Sequence, residues 1–214
     1  YRRYHGGEVD SPSRNLARYI DRLADQYLPD FDVRMIYRTD RFGRGGDQVP
    51  FLQAGYPAVR VSEAHENYTR QHQDLRKEGG IDYGDSIDGI DFRYLARVTA
   101  LNAITMASLS RAPAPPTQVE TKGALATDTT VSWHKVPGAA GYRVHWRDTT
   151  APQWQYVRAV GDVDQAVLAD VVIDDWFFGV SAVSADGYES PVVFPGFAGS
   201  FERDRKSTRL NSSH

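Results

Sequence analysis

"SRAPAPPTQ", residues 110–118, divides this chain. Pro113, Pro115 and Pro116 fix φ and remove backbone donors, so a helix arriving from the N-terminal side must stop there, and the run reads as a stiff, extended connection. Before it, apolar residues recur mainly at helical spacing. After it, they come in short alternating runs separated by turn residues. The expected organisation is therefore an α/β part over residues 1–110, an all-β part over 111–200, and a tail over 201–214. The tail, "FERDRKSTRLNSSH", is polar and aperiodic; it cannot bury enough apolar surface to order itself and reads as an artefactual extension, so its His214 carries no meaning.

Downstream of the prolines, "TTVSWHKV" (129–136), "GYRVHWRD" (141–148), "QWQYVRAV" (153–160), "QAVLADV" (165–171) and "WFFGVSAVS" (176–184) read as strands. Trp133, Tyr142, Val144 and Trp146 fall at alternating positions, as the inner faces of a sandwich require. Upstream, "DSPSRNLARYIDRLADQYL" opens a helix, with Ser11 as cap, Pro12 in the first turn, and Leu16, Ile20, Leu23, Ala24 and Tyr27 on one side. "FDVRMIYR" (31–38), with Phe31, Val33, Met35 and Tyr37 on one face, and "YPAVRVSEA" (56–64) predict two strands. "VPFLQAG" predicts a short helix that stops at Gly55, and residues 91–110 a long helix with Phe92, Leu95, Val98, Leu101 and Ile104 on one stripe. That order is the rhythm of an α/β sheet with helical cover.

Composition excludes several function classes. The net charge is −3 and no basic stripe occurs, so nucleic acid is not an expected partner. Apolar runs fall far short of the ~20 residues of a membrane span. There is no cysteine, so a metal site has to use His, Asp and Glu. The chain begins at Tyr1 and reads as a part of a longer protein; its oligomeric state is open.

Six histidines are present. His5 is too near the start to interpret, and His134 and His145 read as strand histidines at a sheet surface. His65 and His72 follow the second expected strand, and His72 sits in the polar stretch "ENYTRQHQDLRKEGG", 66–80. Ligands of open α/β sheets lie beyond the carboxyl ends of the strands, which makes His72 a candidate metal ligand. Asp74 either steadies its ring from behind or caps a turn. In "TDRFGRGGDQ" (39–48), Gly43, Gly45 and Gly46 let the backbone approach a ligand, and Arg44 and Asp47 put opposite charges at a pocket lip, unless Asp47 only caps the following helix. This loop is not a phosphate loop, because the Lys-Ser/Thr ending is missing.

"RFGRGGDQVPFLQAGYPAVRVSEAHENYTRQHQD" closely resembles the C-terminal part of the catalytic domain of co-catalytic zinc aminopeptidases, the family of bacterial leucyl aminopeptidase, aminopeptidase Y and glutamate carboxypeptidase. Residues 1 to about 110 match in order. The segment with "VSWHKVPGAAGYRVHWR" and "FGVSAVSADGYES" resembles a fibronectin type III domain, which commonly follows this peptidase domain in secreted bacterial enzymes. The resemblance implies a zinc-dependent exopeptidase acting on peptide substrates, with two zinc ions bridged by an aspartate and a glutamate as general base. It implies that His72 is the last zinc ligand and that the other ligands and the base belong to segments upstream of Tyr1. Asp47 matches the pocket-lip aspartate, and Arg44 lies one residue out of register with an arginine that approaches the substrate's amino end. Gln48 replaces the usual histidine, and Gln71 stands where many members carry an oxyanion-stabilising tyrosine. Asp74 follows His72 at a shorter interval than in many members. The expectation is a secreted or periplasmic bacterial zinc aminopeptidase, inactive as this chain alone. The alternative, to which Gln48 and Gln71 give weight, is a non-catalytic binding protein that keeps the peptidase scaffold.

Overall fold

The computed structural model describes residues 10–37, 45–63 and 65–196. His5, Gly43, Arg44 and the expected disordered tail lie outside the described residues.

Helix α1 runs over Pro12–Tyr27 and starts as expected: Pro12 is at its first position, and the Ser11 hydroxyl accepts from the Arg14 amide at 3.2 Å. Ile20 and Ala24 pack against Leu101 of the long helix, with Leu16, Leu28, Phe31, Val33 and Val59 closing round them. Burial of a side chain such as Ile20 or Leu101 is worth roughly 1.5–3 kcal/mol. Helix α2, Gln48–Gln53, is short, and Gly55 follows it with φ +88, as a helix stop requires. Helix α3, Phe92–Arg111, is capped by the Asp91 carboxylate, which accepts from the Arg93 and Tyr94 amides.

The two strands expected over 31–38 and 56–64 do not form. Residues 31–37 and 56–63 belong to neither helix nor strand. Phe31, Val33 and Met35 are half-buried and Asp32, Arg34 and Ile36 exposed, but Tyr37, expected on the inner face, is 42 % exposed, so the period of two holds as far as Met35. A strand also needs a neighbouring backbone about 4.8 Å away to take its donors and acceptors, and among the described residues none lies alongside. The sheet expected for this part is therefore replaced by a small hairpin, β1 (Arg76–Glu78) and β2 (Ile81–Tyr83), inside what the sequence presented as a polar loop. The apolar stripe of α3 is likewise only partly covered: Leu101 is buried, but Phe92 is 58 % and Leu95 48 % exposed.

The second part is a sandwich of two antiparallel three-stranded sheets. One has the order β3 (Thr117–Lys122), β4 (Thr129–His134), β7 (Gln165–Leu168). The other has the order β6 (Tyr156–Val160), β5 (Gly141–Asp148), β8 (Trp176–Val183). Val193 and Glu189 bridge to Val180 and Val183 beside β8. Trp133, Tyr142, Val144, Phe178 and Val180 form the core, and the Tyr142 hydroxyl accepts from the Val136 amide at 2.8 Å. Strand β3 was not expected. Only Val119 of "TQVETK" points inward, and a register shift between Thr117 and Glu120 breaks its alternation. The proline connection is shorter and less free than a tether, because Pro116 is fully buried at the entrance to β3.

Trp146 takes its expected inward place at the edge of the core: it is half-buried, packs against the core cluster and stacks on Tyr156 at 5.5 Å. The other face of β5 is buried as well. His145 and Arg147 are 6 % and 1 % exposed, with Trp154 against both, Ser181 and Glu189 on His145 and Asp10 on Arg147. His134 is exposed, as expected of a surface histidine; His145 is not.

Candidate functional site

The residues singled out by sequence lie on two loops. Asp47 is exposed and occupies the cap position of α2, but its side chain makes no capping hydrogen bond, so the simple capping role fails. Gly46, just before it, backs onto Arg60: a β-carbon there would come within 3.1 Å of the Arg60 side chain. Arg60 in turn donates from Nη2 to Glu66 at 2.9 Å. One arginine thus braces the start of α2 against the beginning of the loop that carries His72.

That loop is internally tied. Asn67 accepts on its side chain from the Thr69 amide (3.1 Å) and hydroxyl (2.7 Å), and its carbonyl accepts from the amides of Arg70 and Gln71. Arg70 reaches across to the Ser86 hydroxyl at 2.9 Å, and the Gly84 amide donates to the Thr69 carbonyl at 2.9 Å. Gly84 has φ +91, and a β-carbon would press on the Leu75 side chain and the Gln73 carbonyl at 2.9 and 3.0 Å. Only glycine closes the hairpin onto the loop there. Arg76 lies over the Tyr83 ring at 3.9 Å and donates to Gln73 at 3.0 Å.

His72 ends this turn, exposed and with φ +51. A left-handed backbone is uncommon for a residue with a β-carbon, although histidine enters it more readily than most, and it costs about 1–2 kcal/mol. Gln71, beside His72, is half-buried. Asp74 is exposed, and its carboxylate makes no hydrogen bond to His72; its carbonyl accepts from Arg76 at 3.5 Å instead. The expected steadying contact is thus absent, because the hairpin draws this stretch of chain toward Arg76.

A catalytic zinc ion takes about three protein ligands and an open position. Among the described residues, no three His, Asp or Glu side chains come together to hold a metal. The described residues therefore do not by themselves fit zinc, and His72 enters as a single imidazole.

Comparison with known proteins supplies the context. No known family profile matches the chain. A probable zinc metalloprotease of Leptosphaeria maculans is 45 % identical over 193 residues, covering 89 % of this chain and 44 % of that protein. Probable zinc metalloproteases of Pyrenophora tritici-repentis and Pyricularia oryzae are 44 % and 40 % identical, each over 89 % of this chain and 40 % and 39 % of their own length. The chain spans less than half the length of these fungal relatives. An alignment of 193 residues fits within neither side of the proline run alone, so the similarity extends over both parts. Among solved structures, a Fn3-like protein from Clostridium thermocellum is 23 % identical over 38 % of this chain and 86 % of its own, with a TM-score of 0.34. The FN5 domain of Drosophila Lar is 22 % identical over 39 % and 98 %, with a TM-score of 0.31.

Sequence reasoning missed the residues that shape this site: Arg60, Arg70 and Gly84. Their side-chain types carry no chemical signature, and only the fold shows what each braces. It also missed the buried charges under α1. His145 Nε2 lies 2.9 Å from both the Ser181 hydroxyl and Glu189 Oε1, and Glu189 also pairs with Arg143 and, at 3.7 Å, with Arg22 of α1. Burial pushes the Glu189 carboxyl up, but His145, the Ser181 hydroxyl and Arg22 together outweigh it and hold the group at about 2.

Proposed function

We propose that this chain is part of a zinc-dependent exopeptidase, an aminopeptidase, in which His72 supplies one metal ligand to a site completed by residues of the longer protein. The observation that carries this reading is the 45 % identity, over 193 residues, to a probable zinc metalloprotease more than twice as long. In the bound state, zinc supplies Lewis acidity and a water of lowered pKa. The residues of this chain hold and orient: the pinned 67–72 turn presents His72, and Gln71 beside it offers an amide donor to a developing oxyanion. Asp47 would meet the free amino end of a peptide substrate, a role that the same proposal extends to Arg44 of the neighbouring sequence. Asp74 acts on the rim of the loop and not behind the imidazole. The two zinc ions and export from the cell belong to the same proposal, the latter resting on the attached sandwich. No helix among the described residues is long and apolar enough to cross a membrane.

The test is His72→Ala in the longer protein, with metal measured by elemental analysis and rate on an aminoacyl anilide. The expected result is loss of zinc together with a fall in rate of at least about a hundredfold. Full zinc occupancy at an unchanged rate shows His72 to be an ordinary loop residue. Absence of zinc and of turnover in the unmutated protein favours the binding-protein alternative.

A further inference from the structure

The sandwich and the helical part share a buried ionic junction. Arg147 of β5 is 1 % exposed and donates from Nη2 to both oxygens of Asp10 at 2.8 Å, while its guanidinium lies over the rings of Phe177 (4.5 Å) and Trp154 (5.3 Å). Asp10 also receives Arg18 Nη1 of α1 at 3.3 Å, and Asn15 donates to the Asp10 carbonyl at 3.2 Å. Arg18 then returns to the sandwich, donating from Nε to the Pro152 carbonyl at 2.6 Å. From the same loop, Gln153 donates to the Asp21 carboxylate of α1 and lies 3.6 Å from the sulfur of Met35.

Helix α1 also holds the two segments that lead into the site loops. Arg14 donates to the Ile36 carbonyl and lies over the Tyr37 ring at 4.9 Å. The Ser13 hydroxyl accepts from the Ala58 amide at 3.1 Å, and Phe31, Val33 and Val59 pack on the cluster around Ile20 and Ala24. Residues 31–37 run toward the loop of Asp47, and residues 56–63 toward that of His72.

We propose that the β-sandwich is a positioning element of the peptidase part: Arg147 and Gln153 fix α1, and α1 fixes the two segments that deliver the Asp47 and His72 loops. Neither segment is held by a strand ladder; α1 holds both, α3 shares in this through Leu101 and through Tyr94, whose ring lies 5.7 Å from that of Phe31, and Gln153 of the sandwich reaches Met35 directly at 3.6 Å. α1 is itself held through charges that are stable in the interior only when paired. A sandwich serving as a freely tethered accessory would meet its neighbour through a wet, polar contact. Here a guanidinium almost wholly out of water finds its carboxylate on the other part. Arg147 touches neither His72 nor Asp47, so its role is positioning. The meaning of this coupling for catalysis rests on the reading of His72 given above; the coupling itself does not.

The experiment is amide hydrogen exchange, followed by NMR on the 214-residue chain, for wild type, Arg147→Met, Arg147→Lys and Asp10→Asn. The reporters are the amides of α1, the Phe31 amide bonded to Leu28, and the Ala58 amide bonded to Ser13, with β5 and β8 as internal reference. Arg147→Met is expected to speed exchange at α1, Phe31 and Ala58 about tenfold while β5 and β8 stay protected, the size that follows from losing a charged hydrogen-bond partner while Asp10 keeps Arg18 at 3.3 Å. Arg147→Lys, which keeps the charge but not the fork, should fall between. Asp10→Asn alters no sandwich residue and should open the same amides, so it decides the matter if Arg147→Met unfolds the sandwich. Unchanged exchange at Phe31 and Ala58 in Asp10→Asn overturns the proposal. So does equal acceleration in β5 and β8 with that variant. Zinc retention in His72→Ala bears only on the functional reading, so the two failures are told apart.

Discussion

Asp21 sits on the side of α1 turned toward the sandwich, 9 % exposed, and its carboxylate accepts from the Gln153 amide. Burial, then repulsion from Asp25 and Asp32, raises its pKa to about 6, against a smaller opposing pull from the Val33 amide. In the unfolded chain an aspartate titrates near ~3.9. The folded state therefore holds this proton more tightly than the unfolded state does. The associated stability is fully present below about pH 4 and is lost as pH rises through about 6. Roughly two pKa units at ~1.4 kcal/mol each set an upper bound of ~3 kcal/mol, and water reaching the open side of α1 screens this to ~1–2 kcal/mol. Asp21→Asn keeps the shape and an oxygen to accept from Gln153 but removes the charge. The variant should be more stable than wild type at pH 7.5, and its gain there should exceed its gain at pH 4.5 by about 1 kcal/mol. Urea unfolding at pH 4.5, 6 and 7.5 measures this. Glu189, held at about 2, acts with the opposite sign: its contribution is present above the usual glutamate range and is lost only as pH falls through about 2, so it leaves this window nearly untouched. An Asp21→Asn variant less stable than wild type at pH 7.5, or a gain equal at both ends, refutes the reasoning.

The other predictions concern the loop and the core. His72→Gly should raise the stability of the metal-free chain by about 0.5–1 kcal/mol, because glycine adopts φ +51 without strain; a drop in the urea midpoint would show that the imidazole is a structural contact. Gly84→Ala should cost about 1–3 kcal/mol, since the new methyl meets Leu75 and the Gln73 carbonyl at a positive φ, and unaltered stability would mean that the hairpin does not close on the His72 loop. Trp133→Ala, at 3 % exposure in the sandwich core, should cost about 3–5 kcal/mol in chemical denaturation; a loss below ~1 kcal/mol would remove this ring from the core.

Several elements were legible because their causes are local. Ser11-Pro12 marks the start of α1, Gly55 ends α2, the prolines after Arg111 end α3, and the alternation around Trp133, Tyr142 and Val144 builds a sandwich core. His72 was legible as a polar histidine in a loop, and its exposed place there is what the structure shows. Its left-handed backbone was not legible, because no residue type announces φ +51 outside glycine. The two expected strands failed for a related reason. Period two in "FDVRMIYR" determines which side chains turn inward, and Phe31, Val33 and Met35 do while Tyr37 does not; whether a ladder forms depends on a second backbone that the segment does not contain.

The sequence by itself determined where helices begin and end, which half is a β-sandwich, and which loop carries the candidate ligand, since capping, proline and glycine geometry and periodicity all act within a few residues. The tertiary structure decided what those elements are fastened to. Arg147 and Asp10, 137 positions apart, form a buried pair that makes the sandwich part of the support for α1. His145, placed by its strand pattern at a surface, became interior because Trp154, Ser181 and Glu189 close over it. Charge pairing and burial between distant residues depend on which surfaces meet, and that is set by the packing of the whole chain, not by any window of its sequence.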